Sequence, residues 1–335
     1  MLKRLIVLTI SITIIAGCQA NEVSTEPNES EHASPEEEAE TNIVFPEVHL
    51  EKMDEGADVE QLQKALNEVG YTIEESGIYD DPTTWAITDF QLQQEDIHVT
   101  GFFNEETKQF LGDFLAEEQT IEAGEGLPVS AEPATTDYGT KVITNPYELL
   151  AVANKERALP EDYIPEDLVV PDVRFPFTED LPKKQLREVA ANALEEMFEA
   201  ADEDDMNLFA QSGYRSFERQ DAIFAVNAEA DGEEEANQYS ARPGESEHQS
   251  GLAMDVTSPD IDYELTVDFK DTPEGKWVEE NAATFGFIIR YPEGKEEITD
   301  YQFEPWHLRY VGKNAAEEIM SAGITLEEYV GLAEE

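Results

Sequence analysis

The sequence predicts a small helical bundle followed by a larger domain that mixes helices with strands. Three patterns point to it. Val59, Leu62, Leu66 and Val69 recur at helical spacing, and Leu186, Val189, Leu194 and Met197 do so much later in the chain. Leu252 to Thr257 alternates as a half-buried strand does, with Leu252, Met254 and Val256 on one side and Ala253, Asp255 and Thr257 on the other. The chain has 335 residues, 40% of them hydrophobic, enough for more than one core.

Met1-Leu2-Lys3-Arg4 is a short basic start, followed by an almost wholly apolar run from Leu5 to Ile15 and by small residues before Cys18. This is the layout of a secretory signal, and the apolar run is shorter than the roughly 20 residues that cross a bilayer. Ile15-Ala16-Gly17-Cys18 resembles the lipobox of bacterial lipoproteins. The resemblance implies that residues 1–17 are a signal peptide and that Cys18 is the lipidated first residue after cleavage. Cys18 is the single cysteine of the chain, so an intrachain disulfide and a cysteine-rich metal site are excluded. Residues 18–45 are rich in Glu, Ser, Pro, Asn and Thr, with no Lys or Arg between Arg4 and Lys52. Such a segment buries too little apolar surface to offset its ordering entropy and is expected to be a disordered acidic tether.

Within residues 46–116, Ala86, Phe90 and Leu92 predict a second helix starting near Asp81 or Thr83, and Gly70 and Gly101 suit helix ends or turns. The run Asp58-Val59-x-x-Leu62-Gln63, then Gly77-x-Tyr79-Asp80, Phe90-Gln91 and Thr100-Gly101 resembles the three-helix peptidoglycan-binding domain found beside many wall hydrolases. Residues 117–140, again Glu, Ala, Gly, Pro and Thr, read as a linker between parts that fold independently. The rest, 141–335, is the large domain, with helices expected over Lys183–Ala200 and after Gly275.

Asp and Glu number 77 against 21 Lys and Arg, a formal net charge of −56. Phosphate binding needs a basic footprint, so nucleic acid is excluded as a partner. The same balance argues against attraction to anionic headgroups and wall polyanions; its bland reading is solvation.

Of five histidines only His248 and His307 lie in the large domain. His248 stands in Ser246-Glu247-His248-Gln249-Ser250-Gly251-Leu252-Ala253-Met254-Asp255, where Gly251 lets the chain turn before the strand and the small Ala253 leaves room beside Asp255 for a ligand. A carboxylate on such a strand is costly unless paired or bound to metal. His307 follows Glu304-Pro305-Trp306; Pro305 disfavours helix at Glu304, so this is a loop entering a strand. Two His and one Asp suit an open zinc site with a fourth position for water, and Glu304 is a candidate proton carrier. Residue types alone leave open that each histidine is structural and that Asp255 pairs with an arginine.

These residues resemble the zinc D-alanyl-D-alanine carboxypeptidases of the VanY type. The Ser-x-His-x-x-Gly-x-Ala-x-Asp pattern is matched from Ser246 to Asp255, and Glu-x-x-His by Glu304 to His307. The arginine motif is matched by Ser212-Gly213-Tyr214-Arg215-Ser216 with Gln220 following. Asn154-Lys155, Leu159-Pro160, Tyr163, Pro165 and Asp167-Leu168-Val169 match the family's opening segment. The resemblance implies an α+β catalytic domain, helices around a small antiparallel sheet. It implies zinc held by His248, Asp255 and His307, with Glu304 as general base and then acid. Arg215 would hold the substrate carboxylate or the developing oxyanion, Ser246 and Gln220 would hydrogen-bond the peptide, and Trp306 would wall the pocket or belong to the core. The sequence departs from the family at Asp300, where Gly is usual, and at Phe303, where Tyr is usual, which bears on substrate preference. The implied activity is removal of a C-terminal D-amino acid from peptidoglycan stem peptides by a protein lipid-anchored at the outer face of the cytoplasmic membrane and in the wall. An L,D-carboxypeptidase, a stem-peptide endopeptidase, a structural zinc site and a non-catalytic wall-binding lipoprotein are the alternatives.

Overall fold

The computed structural model describes residues 45–46, 49–129 and 134–333. The signal segment, Cys18 and the acidic stretch to residue 44 lie outside the described residues.

The first part is three helices, α1 (Ala57–Glu68), α2 (Asp81–Leu92) and α3 (Glu105–Ala116). Each begins where its residues dictate. The Asp80 carboxylate accepts from the Thr83 amide at 3.0 Å, with Pro82 in the first turn of α2, and the Asn104 side chain accepts from the Thr107 amide at 2.9 Å. Val59, Leu62, Leu66 and Val69 are buried against Ile87, Phe90, Phe103 and Leu111.

Part of the stretch read as a linker is tied down. Ile121 N donates to Val69 O at 2.7 Å. The buried Asp89 carboxylate of α2 accepts from the amides of Gly124, Gly126 and Leu127 at 3.0, 2.9 and 2.6 Å, and Trp85 Nε1 donates to Leu127 O at 3.0 Å. Composition cannot reveal this, because the holding is done by a carboxylate, an indole and a backbone carbonyl far away in the sequence.

The large domain has a short parallel pair, β1 (Lys141–Val142) with β2 (Arg157–Ala158), and a short antiparallel pair, β3 (Leu168–Val169) with β4 (Leu186–Arg187). Its centre is a four-stranded antiparallel sheet of β5 (Phe209–Ser212), β6 (Ala253–Thr257), β7 (Phe287–Ile289) and β8 (His307–Tyr310), in the order β5-β6-β8-β7. Around it lie α4 (Glu188–Glu203), α5 (Phe217–Asp231), α6 (Glu233–Tyr239), α7 (Pro273–Asn281), α8 (Glu296–Thr299), α9 (Lys313–Ala322) and α10 (Leu326–Tyr329). This is the α+β arrangement expected. Leu194, Met197 and Phe198 of α4 pack with Leu252, Met254 and Val256 and with Trp277, Val278 and Ile319 in one core.

Two local expectations are corrected. The helix expected from Lys183 begins at Glu188, because Leu186 and Arg187 pair with β3 and the Arg187 amide donates to Gly251 O at 2.8 Å. The strand at Leu252 to Thr257 is not half-buried; all of β6 is buried, its second face being covered by the chain that builds the cleft.

The helical module is packed on the large domain. Phe102 belongs to the large domain's core cluster. Leu149 N donates to Thr100 O at 3.0 Å, and Asn145 Nδ2 to Thr88 Oγ1 at 3.0 Å. The wholly buried Arg187 donates to the carbonyls of Val99 and Tyr147 and sits 3.0 Å from Asp167 Oδ1. The two parts are docked on one another through these contacts.

Candidate active site

The antiparallel register places Asp255 of β6 opposite His307 of β8, and a pairing irregularity in β5 brings Ser212 beside Asp255 on the other edge. His248 comes from a 3-10 turn, Glu247–Ser250, directly ahead of β6. Two glycines make this close approach possible. Gly251 ends the turn at φ +70, and a Cβ there would lie 2.9 Å from Arg187 Cγ. A Cβ on Gly213 would lie 2.5 Å from Gln185 O and 2.8 Å from Met254 Cε. Gly213 O is the group that accepts from His248 Nδ1, at 2.9 Å.

That hydrogen bond puts the proton of a neutral His248 on Nδ1 and leaves the Nε2 lone pair facing Asp255 Oδ2 at 3.5 Å. His307 Nδ1 lies 2.8 Å from Asp255 Oδ1, and the two imidazole rings stand perpendicular with centroids 4.9 Å apart. Donor atoms of the three residues all lie within 4.8 Å of one another, and no other such group occurs among the described residues. Two imidazole nitrogens and a carboxylate oxygen this close together are the kind of donor set that open zinc sites use. His49 and His98 lie elsewhere, paired with Glu51 and Glu106.

The electrostatics favour a cation there. Burial would raise the Asp255 carboxyl, but His248 and His307 hold it below the usual range. Burial would lower His307, and the carboxylates of Asp255 and Glu247 override it and raise it to about 9. Burial depresses His248 to about 3, so its lone pair is available. Glu304 sits in the turn before β8, its carbonyl accepting from the His307 amide at 3.2 Å; burial pushes its carboxyl up to about 7, His307 opposing and Asp255 adding to the rise.

Arg215, Gln220, Ser246, His248, Asp255, Glu304, Trp306 and His307 all line one cleft of ≈310 Å³. Trp306 serves both its expected places, since it also belongs to the core. Gln220 differs from expectation. Its Oε1 accepts from Arg215 Nη1 at 2.9 Å and its Nε2 donates to Ala241 O at 2.6 Å, so both ends of the amide are engaged by the protein. Ala253 is buried in β6 and stands in register with the buried Arg309. Asp300 takes the left-handed conformation (φ +59) that glycine usually supplies at the end of α8. Phe303 lines a separate groove beneath the Lys270 ammonium, so its missing hydroxyl is not at this cleft.

Sequence reasoning missed several residues. Tyr291 stacks on the His307 ring at 5.0 Å and packs on Tyr301. Glu247 is buried behind His307 with Arg290 and Arg309. A charged residue between Ser246 and His248 was visible, but nothing in the sequence says that it points inward.

A family model described as D-alanyl-D-alanine carboxypeptidase matches residues 183–313, and a putative peptidoglycan-binding domain matches residues 55–111. A putative carboxypeptidase, YodJ of Bacillus subtilis (strain 168), is 52% identical over 191 residues, covering 57% of this chain and 70% of its own length. The chain belongs to the VanY carboxypeptidase family. A D-alanyl-D-alanine carboxypeptidase of Enterococcus faecalis (strain ATCC 700802 / V583) is 34% identical, over 59% of this chain and 77% of that one. The solved structure of the LdcB LD-carboxypeptidase superposes with a TM-score of 0.58 at 50% identity, over 61% of this chain and 94% of that one. In this VanY-family chain the helical module carries the peptidoglycan-binding match, and every residue lining the cleft falls inside the carboxypeptidase match.

Proposed function

We propose that this protein is a zinc-dependent carboxypeptidase that removes the C-terminal D-amino acid from peptidoglycan stem peptides, cleaving D-alanyl-D-alanine ends. The observation that carries the reading is the convergence of His248 Nε2, His307 Nδ1 and the Asp255 carboxylate in a cleft that also holds Glu304 and Arg215. His248, Asp255 and His307 would hold the metal, which when bound polarises a carbonyl and acidifies water towards a pKa of about 7. Glu304 accepts a proton from the attacking water and passes it to the leaving amine, a task suited to a carboxyl that titrates near neutrality. Gln220, and more distantly Ser212 at 3.4 Å, fix the Arg215 guanidinium, which lines the cleft and whose forked donors suit the two oxygens of a peptide's C-terminal carboxylate. Gln220 therefore acts through Arg215, and Ser246 is left to hydrogen-bond the peptide directly.

A second reading, L,D-carboxypeptidase action on tetrapeptides, is supported by the likeness to the LdcB LD-carboxypeptidase. Mass spectrometry of defined penta- and tetrapeptide muropeptides after digestion separates the two. Loss of a terminal residue from pentapeptides alone supports the first, and from tetrapeptides alone the second. Treatment with a chelator is expected to abolish hydrolysis until zinc returns; full activity in a metal-free preparation would remove the basis of both.

The helical module would hold the enzyme on wall polymer, and Cys18 would anchor it to the membrane through lipid. No helix among the described residues is long and apolar enough to cross a membrane. Cys18→Ser is expected to release the protein from the membrane fraction or leave it unprocessed. Unchanged lipid labelling of that variant would rule the anchor out.

A further inference from the structure

Behind His307 lies a buried quartet of two carboxylates and two guanidinium groups. Glu247 Oε1 accepts from Arg290 Nε at 2.8 Å and from Arg309 Nη1 at 2.7 Å. Arg290 Nη1 and Nη2 reach Glu327 Oε2 and Oε1 of α10 at 2.8 and 2.6 Å. Arg309 Nη2 donates to the carbonyls of Leu149 and Ala151, both at 2.8 Å. Both arginines and Glu247 are 1% exposed or less. Opposite charges balance, and each guanidinium is held from two sides, which is what allows four charges to be buried together.

One acceptor of the quartet is unspent. Glu247 Oε2 is buried without a hydrogen-bond partner among the described residues, and so is His307 Nε2; they face each other 3.9 Å apart. The other ring nitrogen, Nδ1, is the one turned to Asp255. An imidazole that gives the Nδ1 lone pair to a metal carries its proton on Nε2, and that N–H then needs an acceptor. Tyr291, stacked on the ring, limits its tilt but offers no in-plane acceptor.

We propose that Glu247 is the positioning residue of the metal site, its Oε2 accepting a hydrogen bond from the Nε2–H of His307 while the two arginines hold the carboxylate in place. The quartet thereby fixes which nitrogen of His307 faces the metal. Its anchorage extends to the helical module, since the carbonyl of Leu149 binds Arg309 while its amide donates to Thr100 O.

This inference rests on the zinc reading above, and metal affinity rather than peptide hydrolysis tests it. Glu247→Asp keeps the charge that the arginines require but withdraws Oε2 by one methylene. In a chelator competition on the full chain it is expected to bind zinc about 10- to 100-fold more weakly, the range typical for removal of such a partner. Cobalt substituted for zinc should show an altered visible spectrum in the variant, which a purely structural role for Glu247 would not produce. Nitrogen NMR of the zinc-loaded wild-type chain needs no variant to fold: His307 is expected to bind through Nδ1 and to carry a slowly exchanging proton on Nε2. Undiminished zinc affinity with an unchanged cobalt spectrum, or binding through Nε2, overturns the proposal. A wild-type chain that takes up no zinc at all overturns the zinc reading instead.

Discussion

Replacing Glu304 with alanine is expected to leave zinc content near the wild-type level while kcat falls about 10²- to 10⁴-fold, the usual contribution of a positioned acid–base group. The geometry separates the two outcomes. Glu304 lines the cleft but is outside the group of converging donors, which His248, Asp255 and His307 complete without it. Its backbone, by contrast, is fixed by structure that the substitution leaves alone. The amide donates to Tyr291 O at 3.1 Å and the carbonyl accepts from the His307 amide. Truncation should therefore remove the carboxyl without disturbing the turn that delivers His307 into β8. His248→Ala or His307→Ala should instead empty the site, because two protein ligands hold zinc poorly. Zinc content measured beside rate across these variants decides the matter. Loss of zinc from Glu304→Ala would make Glu304 a ligand, and zinc retained with near-normal rate would place the base elsewhere in the chain.

The difference between what the sequence revealed and what it hid follows from the range of the interactions. Local patterns were legible. Val59, Leu62 and Leu66 mark α1 because helical burial repeats within a few residues, and the start expected near Asp81 or Thr83 is where α2 begins, with Asp80 as its cap. The donors His248, Asp255 and His307 were legible through motifs, though their convergence depends on the β6–β8 register, which no local pattern states. Residues whose meaning is a distant partner were hidden. Glu247 stands between two motif residues, and its partners Arg290, Arg309 and, through Arg290, Glu327 lie 37 to 62 positions apart along these links. Gln220 looked like a substrate contact because it follows the arginine motif, but its amide is engaged by Arg215 and by Ala241 O. The role of Asp89 is hidden for the same reason. An acidic residue on a helix usually faces water, and this one is wholly buried beneath the amides of residues 124 to 127.

A truncated chain of residues 141–335 is expected to be unfolded or strongly destabilised, although composition suggested an independent domain. Three losses add up. Phe102, 4% exposed, leaves the large domain's core cluster, and removing a buried Phe side chain costs about 3–5 kcal/mol. Arg187 keeps Asp167 and the Tyr147 carbonyl but exchanges Val99 O for water, a hydrogen bond worth about 0.5–1.5 kcal/mol net. Glu148 loses Lys52, the cation that opposes the rise that burial imposes on its carboxyl. The sum is comparable with the roughly 5–15 kcal/mol that holds a typical domain together. Phe102→Ala in the full chain isolates the first loss. At about 2–4 °C per kcal/mol for a domain of this size, its melting temperature should fall by roughly 6–20 °C. Cooperative melting of the 141–335 chain within a few degrees of the full protein would show that the docked module adds nothing to the fold of the catalytic part. If the truncated chain instead aggregates or melts far lower, and Phe102→Ala moves in the same direction, then the peptidoglycan-binding module also stabilises the sheet that carries Asp255 and His307.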